Sequence, residues 1–469
     1  MKPWPNIRSR TPAVQREFRG VDRRDPFSLN AALSPDSLNT SSLSYPSLSV
    51  RPGYTVLGAS YGRVLGLGSW KETELHAVFA DGTWRKWTGS SWSAALKSGL
   101  STTEQASFTN LKGGLSSISL FMTNGVDGLL YYDGSTVQTV STAPSGINYV
   151  ETHVDRLWGA VENRLYCSAY RDATNWTVIN QDDADPFDTE VETPNGEVID
   201  GIVASSDTLI VTKRSSIHKL MGYAASDFTL RRVTREVGFL GNNTATIIRD
   251  VIYMLDERGI YDYYGATSPD NSFSLGVQDC IDRIKRSSMS SSCVGTDGQR
   301  LYVSIPISSS SAPDTVLVYD FDAKSWDVWG GFSITCFAKM GNTLYAGDAQ
   351  GRVLQMGGPN DNGTAISWYR TSVPYTAESM AQHIRIPRMW FTVELPAVSS
   401  LSVYLSKSDQ GDADWQLAAT FTAGALSTTP IYVPTSMLVG AQWYRYKLAG
   451  VGPCKVKEFA VEQHNMPIR

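Results

Sequence analysis

Histidine and cysteine are scarce in this sequence, five of each among 469 residues, and neither forms a pattern. His76, His153, His218, His383 and His464 fall in no HExxH or Cys/His spacing, which excludes the familiar transition-metal motifs. Cys167, Cys280, Cys293, Cys336 and Cys454 are widely spread and form no CxxC pair. They read as reduced core thiols without a disulfide framework. Charge is also sparse, at 19 % of residues with a net of −5. That balance excludes a protein held to nucleic acid mainly by neutralising phosphates. No run approaches the roughly 18 apolar residues of a membrane span. The opening MKPWPNIRSRTP has no apolar segment of the secretory kind, so the expectation is synthesis in a cytoplasm.

Signatures of catalysis are missing as well. There is no GxSxG elbow, no GxxxxGK[ST] loop and no GxGxxG ahead of a helix. No carboxylate pair stands out for glycoside hydrolysis. The expectation is a protein that is not an enzyme and needs no cofactor or metal. The nearest approach to a metal site is QDDADPFDTE, where Asp182, Asp183 and Asp185 are candidate calcium ligands. They lack the Asp-x-Asp-x-Asp-Gly spacing, and a solvated loop between strands is the simpler reading. The tryptophans Trp84, Trp87 and Trp92, and Trp326 with Trp329, have the chemistry to stack on sugars. Such residues more often fill packed interfaces.

What is present is a repeat. Glycine is frequent, with 39 copies, and aromatic and β-branched residues abound, a composition of short antiparallel strands. Helical spacing occurs only over 277–289. One module recurs: an apolar strand opening on Leu or Ile, a tight turn, and a second apolar strand. Its anchors are Leu75, Leu120, Leu165, Leu209, Ile252, Leu301 and Leu344, separated by 45, 45, 44, 43, 49 and 43 residues. A period near 40–50 residues with several strands is the signature of β-propeller blades. The fold expected is all-β: a propeller over residues 50–359, with seven blades favoured and six or eight left open. The last module is one strand short, and YTVLGAS (54–60) is the candidate to complete it and seal the ring.

Two segments flank the repeat. Residues 360–469 follow a GGPNDNG linker signal and alternate as six or so strands, as a β-sandwich does. Residues 1–49 form an irregular arm with a net charge of +3, against −9 for residues 50–359. Arg8, Arg10, Arg16, Arg19, Arg23 and Arg24 are therefore candidates for contacts with a neighbouring subunit, through pairing of guanidinium with carboxylate. On that reading a chain starting near Pro46 folds without the arm.

Both ends carry short motifs. FRGVDRRDPFSLNAALSPDSLNTSSLSYPSLSVRPGY ends in a P-x-Leu-x-x-Arg-x-Gly element (Pro46, Leu48, Arg51, Gly53). Near the C-terminus, Trp368 is followed by a Tyr-x-x-x-Leu-x-Gly-x-Gly element (Tyr444, Leu448, Gly450, Gly452). This combination resembles the tail nozzle, or tail tubular protein B, group of short-tailed bacteriophages. The resemblance implies a structural virion protein of the phage tail, made in the host cytoplasm. It implies a ring-shaped nozzle or collar around the DNA exit channel, assembled as a cyclic homo-oligomer with a hexamer favoured. The partners implied are the portal-adaptor ring, other tail proteins, and DNA in transit without sequence-specific binding. The alternative is a tail-tip or fibre-like propeller that binds host surface glycans.

Overall fold

The computed structural model describes residues 12–467, apart from 181, 194, 206, 266–267, 308–310, 378, 380–381, 409–413, 423–428 and 439. The chain divides into two compact units. One comprises residues 55–318 and 331–356. The other gathers the described residues up to Tyr54 with 319–330 and those beyond 356.

The first unit is a β-propeller. Its blades open with the strands Val64–Trp70, Ser107–Leu111, Tyr149–His153, Gly201–Ala204, Ala245–Ile248, Cys293–Thr296 and Ile334–Met340. Successive first strands lie beside one another in a closed circuit, with the 3₁₀ turn Asn242–Thr244 helping to bridge the fourth and fifth. Behind each, strands add outward in antiparallel order, giving seven sheets. The seventh sheet is completed from the other end of the repeat. Tyr54–Val56 pairs with Val353–Met356, and the Leu57 N–H donates to the Val353 carbonyl at 2.8 Å. This pairing closes the ring by joining both ends of the repeat in one blade.

Burial explains why the repeat is readable. The second strand of each blade is covered on both faces, so it reads as a nearly continuous apolar run. In Leu209–Lys213, Leu209 and Val211 pack with Trp158 and Leu165 of the third blade, whereas Ile210 packs with Ile252 and Met254 of the fifth. The period of two thus serves two interfaces. Aspartates close the turns that follow. Asp81 accepts from the Thr83 N–H, Asp256 from Arg258, and Asp348 from Gln350 and Arg352.

Six anchors occupy this second strand. Leu165 does not: it lies in the third strand of its blade, Arg164–Cys167, and the residue in the anchor position is Leu157 of Arg156–Val161. The two strands begin alike, RLW and RLY, and the similarity put the repeat out of phase at this blade. The first blade has three regular strands. A fourth is reduced to the bridges Trp84–Lys97 and Trp87–Trp92. The helical spacing over 277–289 yields one α-helical turn, Gln278–Asp282, extended by 3₁₀ turns, with Cys280, Ile281 and Ile284 buried.

His76 shows how polar groups are accommodated between blades. Its Nδ1 accepts from the Trp84 indole N–H at 3.0 Å, and its Nε2 lies 2.9 Å from Glu74. This fixes the neutral tautomer protonated on Nε2. Burial pushes the imidazole down to about 4. A depressed pKa contributes stability above the unfolded-state value, and that stability is lost as pH falls from about 6.5 through 4. The His76 ring resonances should therefore titrate near pH 4; titration at the ordinary value would contradict the assignment.

The second unit is a β-sandwich built from both ends of the chain. One sheet runs Thr40–Ser41, Leu48–Val50, Lys455–Pro467, Gln382–Glu394, Thr429–Val433, with Ala13–Gln15 also on Lys455–Pro467. The other runs Ser37–Leu38, Ser367–Thr371, Trp443–Val451, Ser400–Ser406, Gln416–Thr422, with Tyr375–Thr376 on Trp443–Val451. Phe391 and Phe459 of the first sheet meet Tyr446 of the second, with ring centroids 4.7–5.1 Å apart. Phe18 and Leu48 of the arm are buried in the same core. The arm is thus part of the sandwich, and the propeller sequence is inserted between its two halves.

Candidate functional site

The propeller axis holds two polar cavities. Blade-opening strands are short, and the loops that lead into them are rich in amides and hydroxyls. One cavity, about 410 Å³, is lined among others by Arg63, Gln105, Ser107, Asn148, Asn243 and Ser290. The other, about 420 Å³, shares Ser107, Asn242 and Asn243 and continues to Phe108, Glu151, Thr246, Thr296, Phe337 and Lys339. Side chains cross the axis where the two meet. Asn243 Nδ2 donates to Gln105 Oε1 at 2.8 Å, and Asn242 Nδ2 approaches Ser107 Oγ at 3.4 Å. Asn242 Oδ1 also accepts from the Ile202 N–H at 3.0 Å. The axis is therefore bridged from the second blade to the loop ahead of the fifth. Glu151 accepts from the Thr152 N–H at 3.0 Å, and burial pushes its carboxyl up to about 7.

These residues escaped the sequence because no motif joins them; they converge from modules far apart in the chain. The only local signal is GFLGNNT, a turn-like string between two blades.

The candidate residues named from sequence fall elsewhere. Asp182, Asp183 and Asp185 lie in one loop, but its oxygens are engaged in building it. Asp182 accepts from the Ala184 N–H at 2.9 Å and Asp185 from Asn180 at 2.8 Å. The buried guanidinium of Arg156 takes the carbonyls of Asp183 and Asp185 at 2.5 and 2.7 Å. Among the described residues no group of three His, Cys, Asp or Glu is placed to hold a metal ion. Trp84, Trp92, Trp326 and Trp329 are buried rather than offered to a ligand. The five cysteines are buried free thiols, and burial pushes Cys336 and Cys454 up to about 12.

Four of the arm arginines have carboxylate partners inside their own unit. Arg16 pairs with Glu458 at 2.7 Å, Arg19 with Glu17 at 2.6 Å, Arg23 with Asp36 at 2.5 Å and Arg24 with Asp22 at 2.5 Å. The carboxylates they pair with are the arm's own and, for Arg16, one of the sandwich. Arg8 and Arg10 lie outside the described residues.

The end motifs, in contrast, have defined work. Arg51 is buried and donates to both carboxylate oxygens of Asp361 at 2.8 and 2.7 Å, to Asn39 Oδ1 at 2.8 Å and to the Gly330 carbonyl at 3.1 Å. Gly53 and Gly358 lie side by side, with the Gly53 N–H on the Gly358 carbonyl at 2.8 Å. A Cβ on Gly53 would stand 1.8 Å from the Asn360 carbonyl oxygen, so only glycine fits. The motif is the clamp where the chain leaves and re-enters the sandwich. At the other end, a Cβ on Gly450 would meet the Ser400 carbonyl at 2.3 Å, and the Trp368 indole packs over that glycine and donates to the Gly452 carbonyl at 3.2 Å.

No family model and no curated protein matches this chain. Solved β-propellers do. The WD40 propeller domain of Doa1 is 9 % identical, with a TM-score of 0.44, over 65 % of this chain and 97 % of that one. BamB from Moraxella catarrhalis is 13 % identical, TM-score 0.42, over 69 % and 97 %. YCF48 bound to D1 peptide is 8 % identical, TM-score 0.43, over 66 % and 99 %. These likenesses concern the fold alone.

Proposed function

We propose that this chain is a structural protein of a bacteriophage virion, a tail nozzle or collar component that assembles as a ring around the DNA exit channel. The observation that carries the reading is the pair of end motifs. The residues that resemble the nozzle group, Arg51 with Gly53 and Trp368 with Gly450, are the clamp and core contacts of one sandwich made from both chain ends. They specify a plan, a propeller inserted in a sandwich, rather than a reaction. The bridged propeller axis adds a constraint. With Asn243 joined to Gln105 across it, the duplex passes between subunits of a ring and not through a propeller. Rings of one chain close by heterologous contacts, and a charge balance near neutrality lets DNA slide past without being held.

Mass photometry and negative-stain images of the purified full chain test this. The expected result is a closed ring, six copies by the resemblance, with an axial opening. A monomer at micromolar concentration, together with peripheral spikes on virions, would overturn it.

A further inference from the structure

We propose that the cavity around Arg63 binds an acidic sugar, a hydroxyl-rich ring bearing a single carboxylate. Arg63 immediately precedes the first strand of the first blade and lines the cavity of about 410 Å³. Its Nε is buried and meets no hydrogen-bond partner among the described residues, and the guanidinium forms no ion pair among them. Arginine stays charged under all ordinary conditions. The terminal nitrogens of Arg63, unlike Nε, are not sealed from the cavity, and a planar carboxylate pairs with both of them in the bidentate arrangement that guanidinium favours.

The rest of the lining selects what carries that carboxylate. Gln105, Asn148, Asn243 and Ser290 surround the cavity, brought by the second, third, fifth and sixth blades or the loops ahead of them. Gln105 and Asn243 use one amide group on each other and keep Gln105 Nε2 and Asn243 Oδ1 unused among the described residues. The Asn148 side chain is exposed. Such neutral donors and acceptors match ring hydroxyls, and the volume is that of a small-molecule site. Charge narrows the choice further. Glu104 is the one carboxylate in the lining, so it offsets Arg63. Beside that carboxylate a phosphate dianion or a nucleic acid is repelled more strongly than a monoanion, whose single charge the guanidinium pairs. A neutral sugar would leave Arg63 unpaired.

The proposal goes beyond the ring reading, and its failure would leave that reading standing. Saturation-transfer NMR on the full chain tests it, with D-glucuronate, D-glucose and glucose 6-phosphate as probes. Glucuronate should bind at least about tenfold more tightly than either of the others. Arg63→Gln should lose at least about tenfold in glucuronate affinity, with the melting temperature unchanged, because Arg63 serves the fold through its backbone carbonyl, which accepts from Ala80 at 2.8 Å. Asn148→Ala, on an exposed side chain, should weaken glucuronate severalfold. Equal binding of glucose, tighter binding of the phosphorylated sugar, no binding of glucuronate up to about 10 mM, or full affinity in either variant would overturn the proposal.

Discussion

Replacing Leu209 with aspartate should leave no soluble, folded chain. Leu209 opens the second strand of the fourth blade and is fully buried. It packs among Trp158, Leu165, Cys167, Ile202 and Leu220, side chains of two adjacent blades. An ionised carboxylate placed there without a partner costs several kcal/mol, and native domains hold only about 5–15 kcal/mol in reserve. The ring makes the damage spread, because a displaced fourth blade exposes the apolar faces of both neighbours. Leu209→Ala should remain folded and lose about 2–5 kcal/mol, the usual cost of a cavity left by leucine. Soluble expression and denaturant unfolding check both variants. Folded, monodisperse L209D protein would show that this strand is not where the blades meet.

The repeat was legible because its cause is local. A strand buried on both faces shows as a short apolar run, and the Asp or Gly turn after it supplies punctuation. Phase was lost only at Leu165, where successive strands of one blade start with nearly the same residues. The sandwich was legible in its long C-terminal strands, such as Gln382–Glu394, and illegible in the arm. Ser37–Leu38 and Thr40–Ser41 are two residues each, too short to show a period, and Ser37 pairs with Arg370, far away in the chain. A net charge of +3 does not reveal pairing either: Arg23 and Arg24 meet Asp36 and Asp22 within the arm, and Arg16 meets Glu458, far away in the chain. The axial cavity was not legible at all: Arg63, Asn148, Asn243 and Ser290 belong to no motif, and only closing the ring brings them together.

The central structural claim is that the two ends of the chain make one sandwich. Phe18 of the arm is buried in its core, and Ala13–Gln15 pairs with the long strand Lys455–Pro467. The buried Arg370 depends on the arm for its acceptors, the carbonyls of Arg19 and Ala32 at 2.5 and 2.6 Å. A buried guanidinium stripped of its partners is destabilising by about 3–5 kcal/mol, and the lost core contact of Phe18 adds to it. A chain starting at Pro46, which the sequence alone suggests should fold, is therefore expected to lose the sandwich. Hydrogen exchange measures this directly by comparing the truncated and full chains. The account predicts that Lys455–Pro467 and Gln382–Glu394 exchange at nearly unfolded rates in the truncated chain while Leu209–Lys213 stays protected. Undiminished protection of Lys455–Pro467 would contradict it.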